Sequence, residues 1–146
     1  MAAHQHEGTC MHEYMSAVRI WELTCPGRPE EIGRVRRWVR DILTGVPRVA
    51  DAVLIVSELG TNAVVHTASG RGNFRLVIAH SPDILTISVT DAGGAATRPQ
   101  VWCAENTATG GRGLGLVQAH ATRLEIHRRG RFHTVTAELD LTAAPL

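Results

Sequence analysis

Asn73-Phe-Arg-Leu-Val-Ile-Ala-His80, Ser81-Pro-Asp83 and Ile84-Leu-Thr-Ile-Ser-Val-Thr-Asp91 read as two strands joined by a turn. In the first run Phe74, Leu76 and Ile78 share one face. In the second, Leu85, Ile87 and Val89 alternate strictly with Thr86, Ser88 and Thr90, the period-two pattern of a half-covered strand. The proline and aspartate between them favour a turn, so the two runs should form a hairpin. By the same parity Asp91 belongs to the face of Leu85, Ile87 and Val89, the face that must pack on helices. A carboxylate buried there is costly unless a hydrogen-bond donor meets it.

Working outward, Ala17 to Thr24 alternates Val18, Ile20 and Glu22 against Arg19, Trp21 and Leu23, and reads as a strand that Cys25-Pro-Gly-Arg-Pro29 breaks. Pro29-Glu30-Glu31 has the form of a helix opening. Ile32, Val35, Trp38, Val39 and Ile42 then recur at helical spacing, with Arg34, Arg36, Arg37 and Arg40 on the remaining surface. After Gly45-Val-Pro47 a second helix is predicted from Val49 to Val65, with Val49, Val53, Val56 and Ala63 as its apolar stripe. Beyond the hairpin, residues 92–111 have no sustained periodicity, and a loop of that length in a compact domain is often a functional lid. A third helix is expected from Leu114 to Thr122. Strands at Arg123 to Arg128 and Phe132 to Leu141 follow, joined across Arg129-Gly130. The sum is α+β: a two-layer sandwich, with a mostly antiparallel sheet of about five strands covered on one face by about three helices.

The chain has 146 residues, enough for one core, with 44% apolar and 20% charged residues and a formal net charge of +1. That charge provides no long-range field for nucleic acid or an anionic membrane. All 15 basic residues are arginine, so no lysine is available for a Walker-type phosphate contact or a Schiff base. No apolar run is long enough to span a bilayer. The N-terminus lacks an apolar signal core and Cys10, Cys25 and Cys103 are widely spaced, so a reducing, cytoplasmic setting is expected. Residues 1–15 are expected to form a flexible tail and residues 16–146 the folded domain. His4, His6, Cys10 and His12 in that tail have ligand chemistry but no apolar pattern to hold them in place.

Three segments carry chemistry. Glu58, Asn62 and His66 recur every four residues and drift only ~40° per step around a helix, so they form a polar ridge. An amide oxygen with phosphate oxygens and waters suffices for Mg²⁺, which leaves Glu58 free to accept a proton. The same three residues would also serve as the solvent side of an amphipathic helix. Asp91 is followed by Gly93 and Gly94, which permit close approach of backbone to a ligand and equally an ordinary turn. An exocyclic adenine amine is a donor able to meet the carboxylate. Gly110-Gly111-Arg112-Gly113-Leu114-Gly115 opens the third helix, where backbone amides suit phosphate oxygens. It lacks the Gly-Lys-Ser/Thr of a Walker loop and the βαβ setting of a dinucleotide fingerprint.

Taken in order, Glu58…Asn62…His66, Asp91-x-Gly93 and Gly111-x-Gly113-x-Gly115 resemble the N, G1 and G2 boxes of the GHKL ATPase superfamily, over about Arg34 to Leu139. The wording of Glu58 to Thr67 resembles stand-alone anti-sigma-factor serine kinases of actinobacterial type. The resemblance implies the Bergerat fold, with ATP between the helical layer and a mobile lid. It implies that Asn62 binds Mg²⁺, Glu58 is the general base, Asp91 bonds the adenine amine, and Gly93 lets the chain pass the base. Gly111, Gly113 and Gly115 would wrap the phosphates, Arg112 would reach a terminal phosphate, and Thr134 would support the adenine pocket through water. His66, Gly94 and Leu114 complete the implied nucleotide contacts. Ala95 departs from the family, whose G1 box usually has a glycine there.

The function implied is an ATP–Mg²⁺-dependent serine/threonine protein kinase that regulates transcription by partner switching. A sigma factor and a small antagonist protein are the implied partners, with no direct contact to nucleic acid or membrane, and a homodimer is compatible with the exposed Thr86, Ser88 and Thr90 face. The alternatives are a nucleotide-gated protein-binding module with little turnover and an ATPase unit serving a larger machine.

Overall fold

The computed structural model describes residues 18–66, 72–91 and 109–142, with the backbone alone for residues 66 and 109–113. Its elements are β1 (Arg19–Pro26), α1 (Glu31–Ile42), α2 (Val49–His66), β2 (Asn73–His80), β3 (Ile84–Asp91), α3 (Thr109–His120), β4 (Arg123–Arg129) and β5 (Phe132–Asp140). The strands form one sheet in the order β1-β2-β3-β5-β4, and every neighbouring pair is antiparallel. This is the expected α+β sandwich. After β3 the chain passes through α3 to β4 at the edge, and β5 then returns between β4 and β3. Gly130, at φ +60°, supplies the left-handed residue in the tight β4–β5 turn.

The predicted hairpin has the observed bounds and faces. Phe74, Leu76, Ile78, Leu85, Ile87 and Val89 are all buried, and β5 adds Val135, Ala137 and Leu139 on the same side. The opposite face carries cross-strand hydroxyl pairs: Ser88 Oγ lies 3.0 Å from Thr136 Oγ1, and Thr90 Oγ1 lies 2.8 Å from Thr134 Oγ1. Small polar pairs of this kind suit a sheet surface that is only half covered.

α2 packs against both other helices and β3. Its buried surface is therefore wider than the predicted stripe: Ala52, Ile55 and Leu59 are buried beside Val53, Val56 and Ala63. α1 follows its predicted spacing, with Ile32, Val35 and Val39 buried.

Two element ends differ from expectation. β1 runs on through Cys25 and Pro26, where the sequence pattern suggested a break. β1 is an edge strand, and there a proline's missing N–H is tolerated, while Cys25 is buried opposite Phe74. α3 begins at Thr109, ahead of the expected Leu114, so the glycine-rich segment forms the first two turns of the helix.

Arg48 ties three elements together. Its Nε donates to Asp51 Oδ2 (3.0 Å), one terminal nitrogen to the carbonyl of His120 at the end of α3 (2.8 Å), and the other to the carbonyl of Asp140 at the end of β5 (3.2 Å). His120 Nδ1 lies 3.0 Å from the other Asp51 oxygen. Arg48 holds φ +64°, the one positive-φ non-glycine among the described residues. Its carbonyl accepts the Ala52 N–H and so begins α2.

Candidate functional site

Among the described residues three polar side chains are buried: Asn62 (8% exposed), Asp91 (3%) and His133 (5%). Asp91 is the last residue of β3 and lies on the helix-facing side, as its parity predicts. Its cross-strand neighbours are Phe74 on β2 and His133 on β5. His133 Nδ1 stands 3.8 Å from Asp91 Oδ1.

The turn of α2 that bears Glu58 and Asn62 lies at the same end of the molecule. Gly60, between them, faces Ile32 and the ring of Phe74: a Cβ there would sit 2.9 Å from Ile32 Cδ1 and 4.0 Å from the ring. Because Phe74 pairs with Asp91, this turn is over the end of β3. Asn62 Nδ2 is buried with no hydrogen-bond partner among the described residues. An amide left in that state costs roughly 1–3 kcal/mol, which a ligand acceptor would recover. Glu58 is half-buried and makes no hydrogen bond or ion pair among the described residues. A half-buried carboxylate and a buried amide, one turn apart, thus belong to the turn of α2 that lies over the end of β3 bearing Asp91.

Glycines at 110, 111, 113 and 115 lie in the opening turns of α3, at its N-terminal end. Leu114 is buried, so its side chain anchors α3 in the core and its backbone alone is left for a ligand. His66 closes α2. The side chains of His66 and Arg112 are not described, and Gly93, Gly94, the segment 92–108 and the tail with His4, His6, Cys10 and His12 lie outside the described residues.

Thr134 follows His133 on β5. Strand alternation turns it to the open face, where its hydroxyl is held by Thr90. There it lines a cavity of about 490 Å³ with Thr24, Arg75 and Phe132, which reaches the strand end at Asp91. The residue beside the Asp91 carboxylate is its predecessor, His133. The signal for His133 was present in the sequence: it shares parity with Val135, Ala137 and Leu139, a polar residue on an apolar face.

The sequence profile of the histidine kinase-like ATPase domain matches residues 25–139. The chain belongs to this family. Its matched span holds the three buried polar residues Asn62, Asp91 and His133 and the glycine-rich start of α3, and an ATPase domain implies ATP binding. A search of curated proteins finds no match. The fold is similar to that of a chain in the crystal structure of the SiaB–SiaC complex from Pseudomonas aeruginosa, with a TM-score of 0.63 and 15% identity over 88% of this chain and 94% of that one. Among the described residues no helix is long and apolar enough to cross a membrane.

Proposed function

We propose that this histidine kinase-like ATPase domain is an ATP–Mg²⁺-dependent serine/threonine protein kinase that acts as an anti-sigma-type regulator by partner switching. The observation that supports it most is the chemistry of the buried polar set. An amide and a carboxylate withdrawn from water, at the end where a glycine-rich helix begins, suit a base and a metal-bound phosphate chain.

In this reading Asp91 accepts from the exocyclic amine of the base, and the Asn62 amide oxygen is a Mg²⁺ ligand. Among the described residues no cluster of three or more His, Cys, Asp or Glu side chains is assembled. A cation here would therefore take few protein ligands and complete its shell from phosphate oxygens and water, as Mg²⁺ does. Bound Mg²⁺ would supply neutralisation of phosphate charge. Glu58, partly open to solvent, accepts the proton of the serine or threonine hydroxyl as its oxygen bonds to the terminal phosphorus and the β–γ bridging P–O bond breaks to release ADP.

The opening turns of α3 wrap the phosphates, with Gly111, Gly113 and Gly115 in the backbone path and Arg112 toward the terminal phosphate. Four glycines make those turns roughly 3–4 kcal/mol weaker as helix than alanines would, so the segment rearranges around a ligand at small cost. The reading further assigns Gly93 to letting the chain pass the base, and Gly94 and His66 to nucleotide contacts. The implied protein partners are a small antagonist as phosphoacceptor and a sigma factor as the sequestered protein. A similar fold within the two-protein SiaB–SiaC structure supports a protein partner.

Transfer of radiolabel from γ-labelled ATP to candidate antagonists tests the activity. Glu58→Ala should keep ATP binding and lose transfer, whereas Asp91→Asn should lose binding. Calorimetry giving Asp91→Asn the affinity of the wild type would sink the base assignment. Nucleotide binding with no transfer to any acceptor would favour the gated binding module.

A further inference from the structure

We propose that His133 is a positioning residue that fixes which oxygen of Asp91 meets the nucleobase, and so selects an adenine edge over a guanine edge. This rests on Asp91 as the base-binding carboxylate. An ionised carboxylate accepts at two oxygens and donates at neither. The guanine edge offers two adjacent donors, the ring N1–H and the exocyclic amine, and matches both oxygens at once. The adenine edge offers one donor, its exocyclic amine, beside a ring nitrogen that is itself an acceptor. An unrestrained carboxylate facing adenine sets its second oxygen against that nitrogen's lone pair, so on its own it favours guanine.

A donor that engages one oxygen from within the protein reverses this preference. His133 lies in the position to do so. It is the direct cross-strand partner of Asp91, on the same helix-facing side of the sheet, and its Nδ1 is 3.8 Å from Oδ1. A small rotation of the carboxylate closes that separation to a hydrogen bond, as polar groups in ligand sites commonly do when the ligand arrives. Nδ1 must carry a proton for this, in the neutral tautomer or the cation. Both side chains are at least nine-tenths buried, so water competes little for Oδ1 and the bond keeps its strength. Direct cross-strand neighbours on one face have Cβ atoms about 5 Å apart, so strand pairing fixes the imidazole relative to the carboxylate. Oδ2 alone then faces the base, as a single acceptor for a single donor.

The experiment is calorimetric titration of the full chain with ADP and with GDP, each with Mg²⁺. The proteins are the wild type, His133→Leu, His133→Val, His133→Asn and Asp91→Asn, with thermal melting alongside. The wild type should bind ADP more tightly than GDP. His133→Leu and His133→Val should each lower the ADP-to-GDP affinity ratio about tenfold, the effect of one ordinary hydrogen bond. His133→Asn, whose amide restores a donor, should keep most of the ratio. A purely structural role would lower the melting temperature and leave the ratio where it was. Valine suits a strand, so it provides the comparison where the leucine variant fails to fold. An unchanged ratio in an apolar variant that binds ADP overturns the role of His133 and leaves the base-binding carboxylate standing, and so does a fall in His133→Asn as large as in the apolar variants. Absence of ADP binding by the wild type, or wild-type affinity in Asp91→Asn, overturns both.

Discussion

Arg48→Ala is expected to remove the joint between α2, α3 and β5 and to cost about 3 kcal/mol. Three donor bonds leave together: to Asp51, to the His120 carbonyl and to the Asp140 carbonyl. Bonds from a charged group reach about 1.5–3 kcal/mol when fully buried. The Arg48 and Asp51 side chains are 25% and 30% exposed, so solvent screening brings each bond down to about 1 kcal/mol. The backbone provides an internal control. Arg48 sits at φ +64°, which costs an L-residue roughly 1–2 kcal/mol and costs glycine almost nothing. Arg48→Gly loses the same three bonds and sheds that strain, so it should be about 1 kcal/mol more stable than Arg48→Ala. At about 2–4 °C per kcal/mol for a chain of this size, the alanine variant should melt about 6–12 °C below wild type and the glycine variant between the two. Urea and thermal unfolding of the three proteins measure this. An alanine variant within about 0.5 kcal/mol of wild type, or a glycine variant less stable than it, would refute the reasoning.

Leu114→Ala empties a buried position where α3 meets the core and should cost about 2–5 kcal/mol in urea unfolding. Thr134→Val breaks a hydroxyl pair on the open face, costs less than about 1 kcal/mol, and should leave ADP affinity within about twofold; a large loss of affinity would return Thr134 to the site. Burial, reinforced by the Glu31 carboxylate and partly offset by Arg34, pushes the Cys25 thiol pKa up. With Cys10 and Cys103 replaced by serine, alkylation at pH 8 should be far slower in the folded chain than in urea. Because the folded value lies above the unfolded one, the contribution of this thiol to stability is intact below the ordinary thiol pKa of about 8.5 and lost as pH rises through the folded value.

What the sequence conveyed depended on whether a local period was enough. The β2–β3 hairpin was readable to the residue because strict alternation and a proline turn are local facts. Pro26 misled because its cost depends on whether its strand lies at the edge, and strand order is a tertiary property. The wide apolar face of α2 was under-read for the same reason: a helix with neighbours on two flanks and a sheet beneath buries more than one stripe. Arg48 left no pattern at all. Its partners at 120 and 140 are distant in sequence, and two of its three bonds go to backbone carbonyls, which no residue type announces.

Within the site, parity located Asp91 and would have located His133. Resemblance drew attention to Thr134 one position later, and in a strand one position is the other side of the sheet. Glu58 and Asn62 could not be ranked from spacing, since both lie on one ridge. Packing separates them: the Asn62 amide nitrogen is buried with no hydrogen-bond partner among the described residues, while Glu58 keeps access to solvent. Their chemistry follows from that difference. A group that holds a ligand gains from being fixed and dry, whereas a group that takes a proton from an incoming hydroxyl must be reachable from outside.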